Sequence, residues 1–171
     1  MITKQNFEQA LSNLDFFTQG LIYTIIDGKD TPVNDTYVSF SEYIESLPTL
    51  ITNKTTFKIQ GFEAFNKVIY DKCNQLSKHW GKPVDCHAYW GYEDHGSFDM
   101  HSDPCEVCIY ICEGTKTVTV ADTDHTLKEN EHIFIKANTQ HKAFNITNCL
   151  SLSFGTYNYL EKSVGDIGIH L

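Results

Sequence analysis

The sequence of 171 residues contains no arginine, so all 13 of its basic side chains are lysines. They are outnumbered by 22 acidic residues, and the formal net charge is −9. A nucleic-acid-binding protein of this size should present a basic face, and none is visible here. We therefore expect no nucleic-acid partner, and any anion that the protein buries has to be met by a lysine.

A long apolar run is also missing from the chain. No segment predicts a membrane-spanning helix, and Met1 is followed by an amphipathic pattern rather than the apolar stretch of a secretory signal peptide. We therefore expect a cytoplasmic protein without membrane association, whose six cysteines are reduced thiols. Cys105 and Cys108 form a C-x-x-C motif that no second such motif accompanies, so we predict structural burial rather than a zinc or redox site.

The spacing of apolar residues changes at Pro83. Before it, a three- to four-residue spacing predicts helices, and two β-branched or alternating runs predict strands: helices over 4–18, 42–50 and 62–80, strands over 21–26 and 55–60, and a loop over 28–36. After it, short runs between turn residues predict strands only: 84–92, 98–103, 105–112, 115–121, 132–136 and 150–157, with turns at 113–114 and 145–148.

This order of elements predicts a mainly β protein with N-terminal helices. We expect one domain over residues 1–171, in which a helical part (about 1–82) packs on a sandwich or barrel of strands (about 83–160).

The motif with the clearest chemistry is His101-Ser102-Asp103. On a strand, two residues at this spacing point to the same face. A second imidazole, His141, follows Asp103 after 37 intervening residues. Two imidazoles and one carboxylate form the facial triad that binds non-haem Fe(II) and leaves positions open for substrate and O₂. We predict that these three residues bind the metal, with His95 and His132 as the only other histidines close enough in pattern to compete.

The segment around this motif resembles the JmjC-type, cupin-fold family of Fe(II)/2-oxoglutarate oxygenases. In residues 97–116 a His-x-Asp is followed by a buried strand, a glycine and a basic residue, and a second histidine arrives after a polar turn, an apolar strand and a loop. The resemblance covers roughly residues 37–157. It implies a double-stranded β-helix (jelly-roll) core, with Fe(II) and 2-oxoglutarate as cofactors.

Lys116 stands thirteen positions after Asp103. In the protein-hydroxylating branch of the family, a lysine at this place binds the distal carboxylate of 2-oxoglutarate. A buried dianion needs a cation nearby, because its desolvation otherwise costs several kcal/mol. Many other 2-oxoglutarate oxygenases use an arginine on a later strand, and this chain has none. The resemblance therefore assigns Lys116 to the co-substrate.

The remaining co-substrate and substrate residues are expected on the strand that leads to the metal motif and on the last strand. We predict co-substrate contacts from Tyr89, Trp90 and Ser153 and substrate contacts from Trp90 and Tyr92. The chain departs from the family at two positions, because Phe57 and Phe98 stand where the family has a tyrosine and a threonine. The hydroxyl groups that could replace them are several: Ser97, Tyr89, Tyr92, Ser153 and Thr156.

The resemblance implies an oxygenase that hydroxylates a C–H bond, and the expected substrate is an amino-acid residue in a protein or peptide. A small-molecule substrate stays open. Two other interpretations also remain: a cupin dioxygenase or isomerase that uses the same metal site without 2-oxoglutarate, and a cupin-like binding module without metal. The dioxygenase or isomerase interpretation is favoured if Lys116 points into solvent.

Overall fold

The computed structural model describes residues 2–93 and 97–156, apart from the side chains of Glu93 and Asn145. Its helices are α1 (Lys4–Leu11), α2 (Leu14–Thr18), α3 (Val33–Thr36), α4 (Phe40–Thr52) and α5 (Lys67–Trp80), with a 3-10 helix over Phe62–Ala64. Its strands are β1 (Ile22–Ile26), β2 (Lys29–Pro32), β3 (Thr56–Ile59), β4 (Val84–Glu93), β5 (Val107–Val120), β6 (Thr123–Lys128), β7 (His132–Ile135) and β8 (His141–Thr156). None of the helices in the described ranges is long and apolar enough to span a membrane.

The strands form one antiparallel sheet in the order β2-β1-β3-β4-β8-β5-β6, and β7 pairs with β5 beside this path. The two longest strands, β5 and β8, pair along most of their lengths. The first part of β5 also pairs with β7 and its last part with β6. Because both long strands change register several times, they bend and enclose an interior. The chain is mainly β with N-terminal helices, as predicted.

Strand β4 separates the hydrophobic core from this interior. Its even-numbered residues, Ala88 and Trp90 among them, are buried against the N-terminal helices. Its odd-numbered residues, Asp85 to Gly91, line a cavity on the other side. This alternation is what the strand geometry demands, and it decides which side chains of β4 reach the cavity.

The helical part differs from the prediction in four places. The predicted helix over 62–80 is a 3-10 helix over Phe62–Ala64 followed by α5, which begins at Lys67. The predicted helix over 4–18 is two helices, because Asn13 accepts a hydrogen bond from Phe16 N and begins a new helix. Helix α4 is longer than the predicted 42–50 and runs through Pro48 to Thr52, with Tyr43 and Leu47 buried in the core. The predicted loop over 28–36 contains β2 and α3.

The observed strands differ from the predicted ones where the backbone departs from regular strand geometry. The predicted strand over 98–103 is irregular chain, with one isolated bridge between His101 and His141. The predicted turn at 113–114 is a β-bulge inside β5, and the predicted turn at 145–148 lies within β8. Gly114 has φ +75°, and Asn148 has φ +39°. Positive φ values let the paired strands absorb an extra residue without ending.

The bulge generates a stability prediction for Gly114. A Cβ there would lie 2.3 Å from the carbonyl oxygen of Asn148, in a left-handed backbone conformation. We expect Gly114→Ala to lower the free energy of unfolding by roughly 3 kcal/mol or more, measured by urea denaturation. Gly61→Ala is the matched control: Gly61 has φ +70° but nothing within 4 Å of a Cβ, so only the backbone cost of about 1 kcal/mol applies. Equal losses in the two variants would contradict a steric role for the bulge.

Candidate metal centre and its cavity

Two histidines from distant parts of the chain are joined through their backbones. His101 N donates to His141 O at 3.0 Å, and His141 N donates to His101 O at 2.7 Å. This two-way bond holds the imidazole rings with their centroids 4.3 Å apart. Asp103 is fixed to the same region, because its carbonyl oxygen accepts a hydrogen bond from Asn138 N at 2.7 Å. The donor atoms of His101, Asp103 and His141 all lie within 4.8 Å of one another.

Both imidazoles are oriented by backbone carbonyl groups. His101 Nδ1 lies 2.7 Å from Asp99 O, and His141 Nδ1 lies 2.9 Å from Thr139 O. A carbonyl oxygen only accepts hydrogen bonds, so each Nδ1 carries a proton, and Nε2 is the nitrogen that could bind a metal ion. Carbonyl or carboxylate partners of this kind are typical of metal-binding histidines. The donor set fits a metal ion that accepts borderline nitrogen and hard oxygen ligands on one face.

His141 and Asp103 share a proton in the protein without metal. His141 Nε2 lies 3.3 Å from Asp103 Oδ2. This hydrogen bond is the main reason why the pKa of His141 is raised and why the pKa of Asp103 is lowered. His101 and His87 lower the pKa of Asp103 further through their charges. Protonation of His141 and ionisation of Asp103 therefore favour each other, and a metal ion that binds Nε2 would have to displace any proton there.

The three residues lie on the wall of a cavity of about 430 Å³. Lys116 lines the same cavity and is only 8% exposed. Its Nζ donates to Ser151 Oγ at 2.6 Å and lies 5.7 Å from the centroid of the Tyr89 ring. Burial lowers the pKa of Lys116, and no carboxylate lies close enough to contribute. This cavity thus contains a buried cation that has no anionic partner among the described residues.

Two of the other predicted co-substrate residues face the cavity, and two predicted contacts do not. Tyr89 and Ser153 line it, and burial raises the pKa of the Tyr89 phenol. Trp90 lies on the opposite face of β4, where it is 4% exposed in the hydrophobic core. Tyr92 packs against that same core, with its ring 5.6 Å from that of Trp90. We correct the assignment of both residues, because the alternation of β4 turns them away from the cavity.

The structure also brings polar residues to the cavity that the sequence analysis did not assign. Ser151 binds Lys116, and Lys58 lines the cavity while its Nζ pairs with Asp30. On β3, Lys58 rather than Phe57 faces the cavity, because Phe57, the residue that stands where the family has a tyrosine, is fully buried on the other face of the strand. Phe98 does line the cavity, with its ring 5.7 Å from that of His101.

Asp85 and His87 on β4 are further lining residues. The signal that could have found them is parity, since both stand at even distances from Tyr89 on the same strand.

His132, which could compete as a ligand, and the two cysteines of the C-x-x-C motif do not belong to the candidate metal site. His132 is exposed on β7, away from the three ligands, and His95 lies outside the described residues. Cys105 lines the cavity, whereas Cys108 packs against the helical core on the other side of β5. All six cysteines are free thiols, and the two of the motif cannot bind one ion together.

Comparisons with known proteins identify the fold. A family model described as a cupin domain matches residues 88–153, a range that contains all three candidate ligands. No protein of curated function matches the sequence. The structure is similar to YcfD, a ribosomal oxygenase from Escherichia coli in complex with cobalt and 2-oxoglutarate, with a TM-score of 0.63 and 12% sequence identity. The similarity covers 92% of this chain and 44% of YcfD, so this chain spans less than half of that protein.

Two further structures match over a smaller part of the chain. One is a protein of unknown function from Streptococcus pyogenes (TM-score 0.41, 15% identity, 44% of this chain and 65% of that chain). The other is an RmlC-like cupin from Shewanella frigidimarina (TM-score 0.41, 16% identity, 44% of this chain and 68% of that chain). The predicted fold class is confirmed: the core is a cupin-type jelly roll that carries N-terminal helices.

The triad generates a prediction on metal affinity. We expect His101→Ala and His141→Ala each to weaken Mn(II) binding roughly 100-fold or more, because loss of a ligand exceeds the loss seen when a supporting residue is removed. Isothermal titration of chelator-treated protein measures this. His79→Ala, which changes an exposed histidine of α5, is the control and should bind Mn(II) like the unmodified protein. Unchanged affinity in both ligand variants would exclude the triad as the metal site.

The shared proton generates a prediction on pH. Since the pKa of His141 is raised and that of Asp103 is lowered, their pairing stabilises the metal-free protein only between these two pKa values. Metal binding must release the proton of His141, so Mn(II) affinity should rise about tenfold per pH unit below the raised pKa and level off above it. Titrations in buffers of different ionisation enthalpy count the protons released. Release of no proton at about pH 6 would contradict the assigned pair.

Proposed function

We propose that this chain is a JmjC-type oxygenase that depends on Fe(II) and 2-oxoglutarate and hydroxylates a C–H bond of an amino-acid residue in a protein or peptide. The proposal treats residues 1–171 as one oxygenase domain, similar to the asparaginyl hydroxylase that acts on hypoxia-inducible factor. The observation that carries it is that one cavity brings together a His/Asp/His group that could hold a metal ion and a buried lysine without a carboxylate partner among the described residues. The co-substrate needs both features, one for each of its ends.

Lys116 is suited to a carboxylate because the protein itself offers it none. A lysine that is 8% exposed, with a pKa lowered by burial, is costly to keep charged. A carboxylate placed against Nζ would stabilise the charged form and restore its pKa. Ser151 Oγ, which already accepts a hydrogen bond from Nζ, has a proton to donate to the same carboxylate. The pair Lys116–Ser151 thus supplies the cation and hydroxyl that the family resemblance requires.

The residues of the cavity would divide the work as follows. His101, Asp103 and His141 would hold the metal, and bound Fe(II) would activate O₂, the oxidant of the C–H hydroxylation, while 2-oxoglutarate supplies two electrons and leaves as succinate and CO₂. Lys116 and Ser151 bind and orient the far end of the co-substrate. The rings of Tyr89 and Phe98 meet edge to face at 6.5 Å between these two groups of residues, where they exclude water.

The burial of Lys116 and the orientation of the two imidazoles argue against the rival interpretations. A cupin dioxygenase or isomerase that works without 2-oxoglutarate has no need of a buried lysine, and the exposure of Lys116 to solvent would favour it. Lys116 instead lines the cavity and is almost fully buried. This supports the 2-oxoglutarate-dependent reading. A cupin-like module without metal would have no use for two imidazoles oriented by carbonyl groups.

The proposal predicts slow turnover of 2-oxoglutarate to succinate by the purified protein with Fe(II), even without a substrate. We expect Lys116→Met to raise the KM for 2-oxoglutarate roughly 100-fold or more, because removal of one partner of a buried ion pair costs about 3–5 kcal/mol. The melting temperature should stay the same or rise, since a buried unpaired cation is removed. Succinate formation and thermal unfolding measure the two effects.

Lys78→Met, at an exposed position of α5, is the matched control and should change neither quantity. His101→Ala should abolish the turnover. Turnover that survives in His101→Ala, or its complete absence in the unmodified protein with Fe(II), would sink the proposal.

A further inference from the structure

Asp85 is a buried carboxylate that points into the cavity and is not used by the metal centre. Its side chain is only 9% exposed, and it lines the cavity together with His87 from the same strand. Gly155 on the neighbouring strand β8 makes room for it, because a Cβ at Gly155 would lie 3.3 Å from Asp85 Oδ1. The space around this carboxylate is therefore open toward the cavity.

The protein satisfies this carboxylate poorly. His87 Nε2 lies 3.0 Å from Asp85 Oδ2, yet this nitrogen is buried and makes no hydrogen bond of acceptable angle. No other group in the described ranges donates a hydrogen bond to Asp85 or pairs with it. A second carboxylate, Glu63, is close enough for the charge of Asp85 to raise the pKa of Glu63. A buried carboxylate with so few donors is costly unless a ligand supplies them.

The cavity therefore contains two buried ionisable groups of opposite sign that do not pair with each other. Lys116 has Ser151 as its partner and lacks an anion, whereas Asp85 has His87 and lacks donors. The co-substrate of the proposed function would meet the need of Lys116. Nothing in that co-substrate, whose oxygen atoms are acceptors, would meet the need of Asp85. The substrate is the remaining ligand that can donate hydrogen bonds to Asp85.

The hydrogen-bonding atoms of Asp85 and His87 specify the chemistry of that ligand. In its neutral form His87 has one ring nitrogen that accepts hydrogen bonds, and neither ring nitrogen forms a hydrogen bond among the described residues. Two acceptors, a carboxylate oxygen and an imidazole nitrogen, then stand side by side. A hydroxyl group has one proton and can satisfy only one of them. A primary amide, an ammonium or a guanidinium group has at least two N–H donors and can satisfy both.

We propose that Asp85 and His87 form the substrate-recognition site of this cavity and bind a nitrogen group with two or more N–H donors on the target side chain. The site rests on the proposed function, because it assumes that a substrate side chain enters the cavity beside the metal. Both residues line the same cavity as His101, Asp103 and His141.

The test uses one peptide scaffold with a varied central residue, the Fe(II)-loaded protein and 2-oxoglutarate. Each donor side chain is compared with a counterpart without donors: Asn against Asp, Gln against Glu, and both Lys and Arg against norleucine. Succinate formation above the peptide-free rate and a mass increase of one oxygen are measured for each peptide. At least one donor peptide should show a KM tenfold or more below that of its counterpart.

Asp85→Asn separates recognition from a structural role. We expect it to raise the KM for the donor peptide tenfold or more, and to leave the melting temperature unchanged or higher because a poorly satisfied charge is removed. His87→Leu should raise the same KM while removing only the second acceptor. Asp71→Asn, which changes an exposed carboxylate of α5 that pairs with Lys67, is the matched control and should change neither quantity.

Four results would overturn the inference or the function beneath it, and they are distinguishable. Equal KM values for donor and counterpart peptides overturn the inference. So does an Asp85→Asn variant with a lower melting temperature and an unchanged KM, which would make the pair structural. Peptide-free turnover that no peptide stimulates overturns the recognition site and leaves the oxygenase intact. The absence of any 2-oxoglutarate turnover removes the proposed function itself.

Discussion

The two-way backbone bond between His101 and His141 is the constraint on which the site depends. It joins an irregular segment to the start of β8, and it places two imidazoles side by side before any metal arrives. The nearby carbonyls of Asp99 and Thr139 then decide which nitrogen of each ring faces the ion. A site prepared in this way loses little conformational freedom when a metal binds, because the protein has already ordered its ligands.

The cavity behind the metal is polarised by groups that the protein leaves incompletely satisfied. Lys116 and Asp85 both sit on rigid strands, both are buried, and each lacks the counter-charge that would make its burial cheap. Structural ion pairs in proteins are normally completed by the chain itself, as Lys58 and Asp30 are at the edge of the same cavity. Incomplete groups in a concave site are better explained by ligands that complete them, and two such groups define two ends of a binding site.

Much of this architecture could be read from local pattern. The strands with clear alternation, the long helix before Pro83 and the spacing from His101 to Lys116 all depend on near neighbours, and the sequence states them directly. Side-chain parity could have been used further. Tyr89 and Trp90 are adjacent on one strand and cannot both face one cavity, whereas Asp85 and His87 share the parity of Tyr89. The sequence does not say whether the odd- or the even-numbered residues of β4 face the cavity, because both faces carry aromatic residues. That choice depends on the helices and strands that pack against β4.

The remaining features depend on contacts between distant segments, which periodicity does not encode. The strand predicted over 98–103 is irregular, because His101 bonds to His141 rather than to a continuous neighbouring strand. The pairing of Lys116 with Ser151 joins residues 35 positions apart. The predicted turn at Gly114 has the residue of a turn, but β5 keeps its partner β8 on both sides, so the chain bulges instead of reversing.

Because of that bulge, the number of residues in β5 decides which of its side chains face the cavity. Before it, the inward-facing residues Val107, Ile109 and Ile111 have odd numbers, and after it Lys116 and Val118 have even numbers. Without the bulge, regular alternation from Ile111 would turn position 116 toward the outside of the barrel, so the bulge is what brings Lys116 to the cavity. An alignment that places a gap freely in this stretch would therefore match the wrong side chain to the lysine. In this chain, the extra residue of the bulge determines the site as much as the lysine itself does.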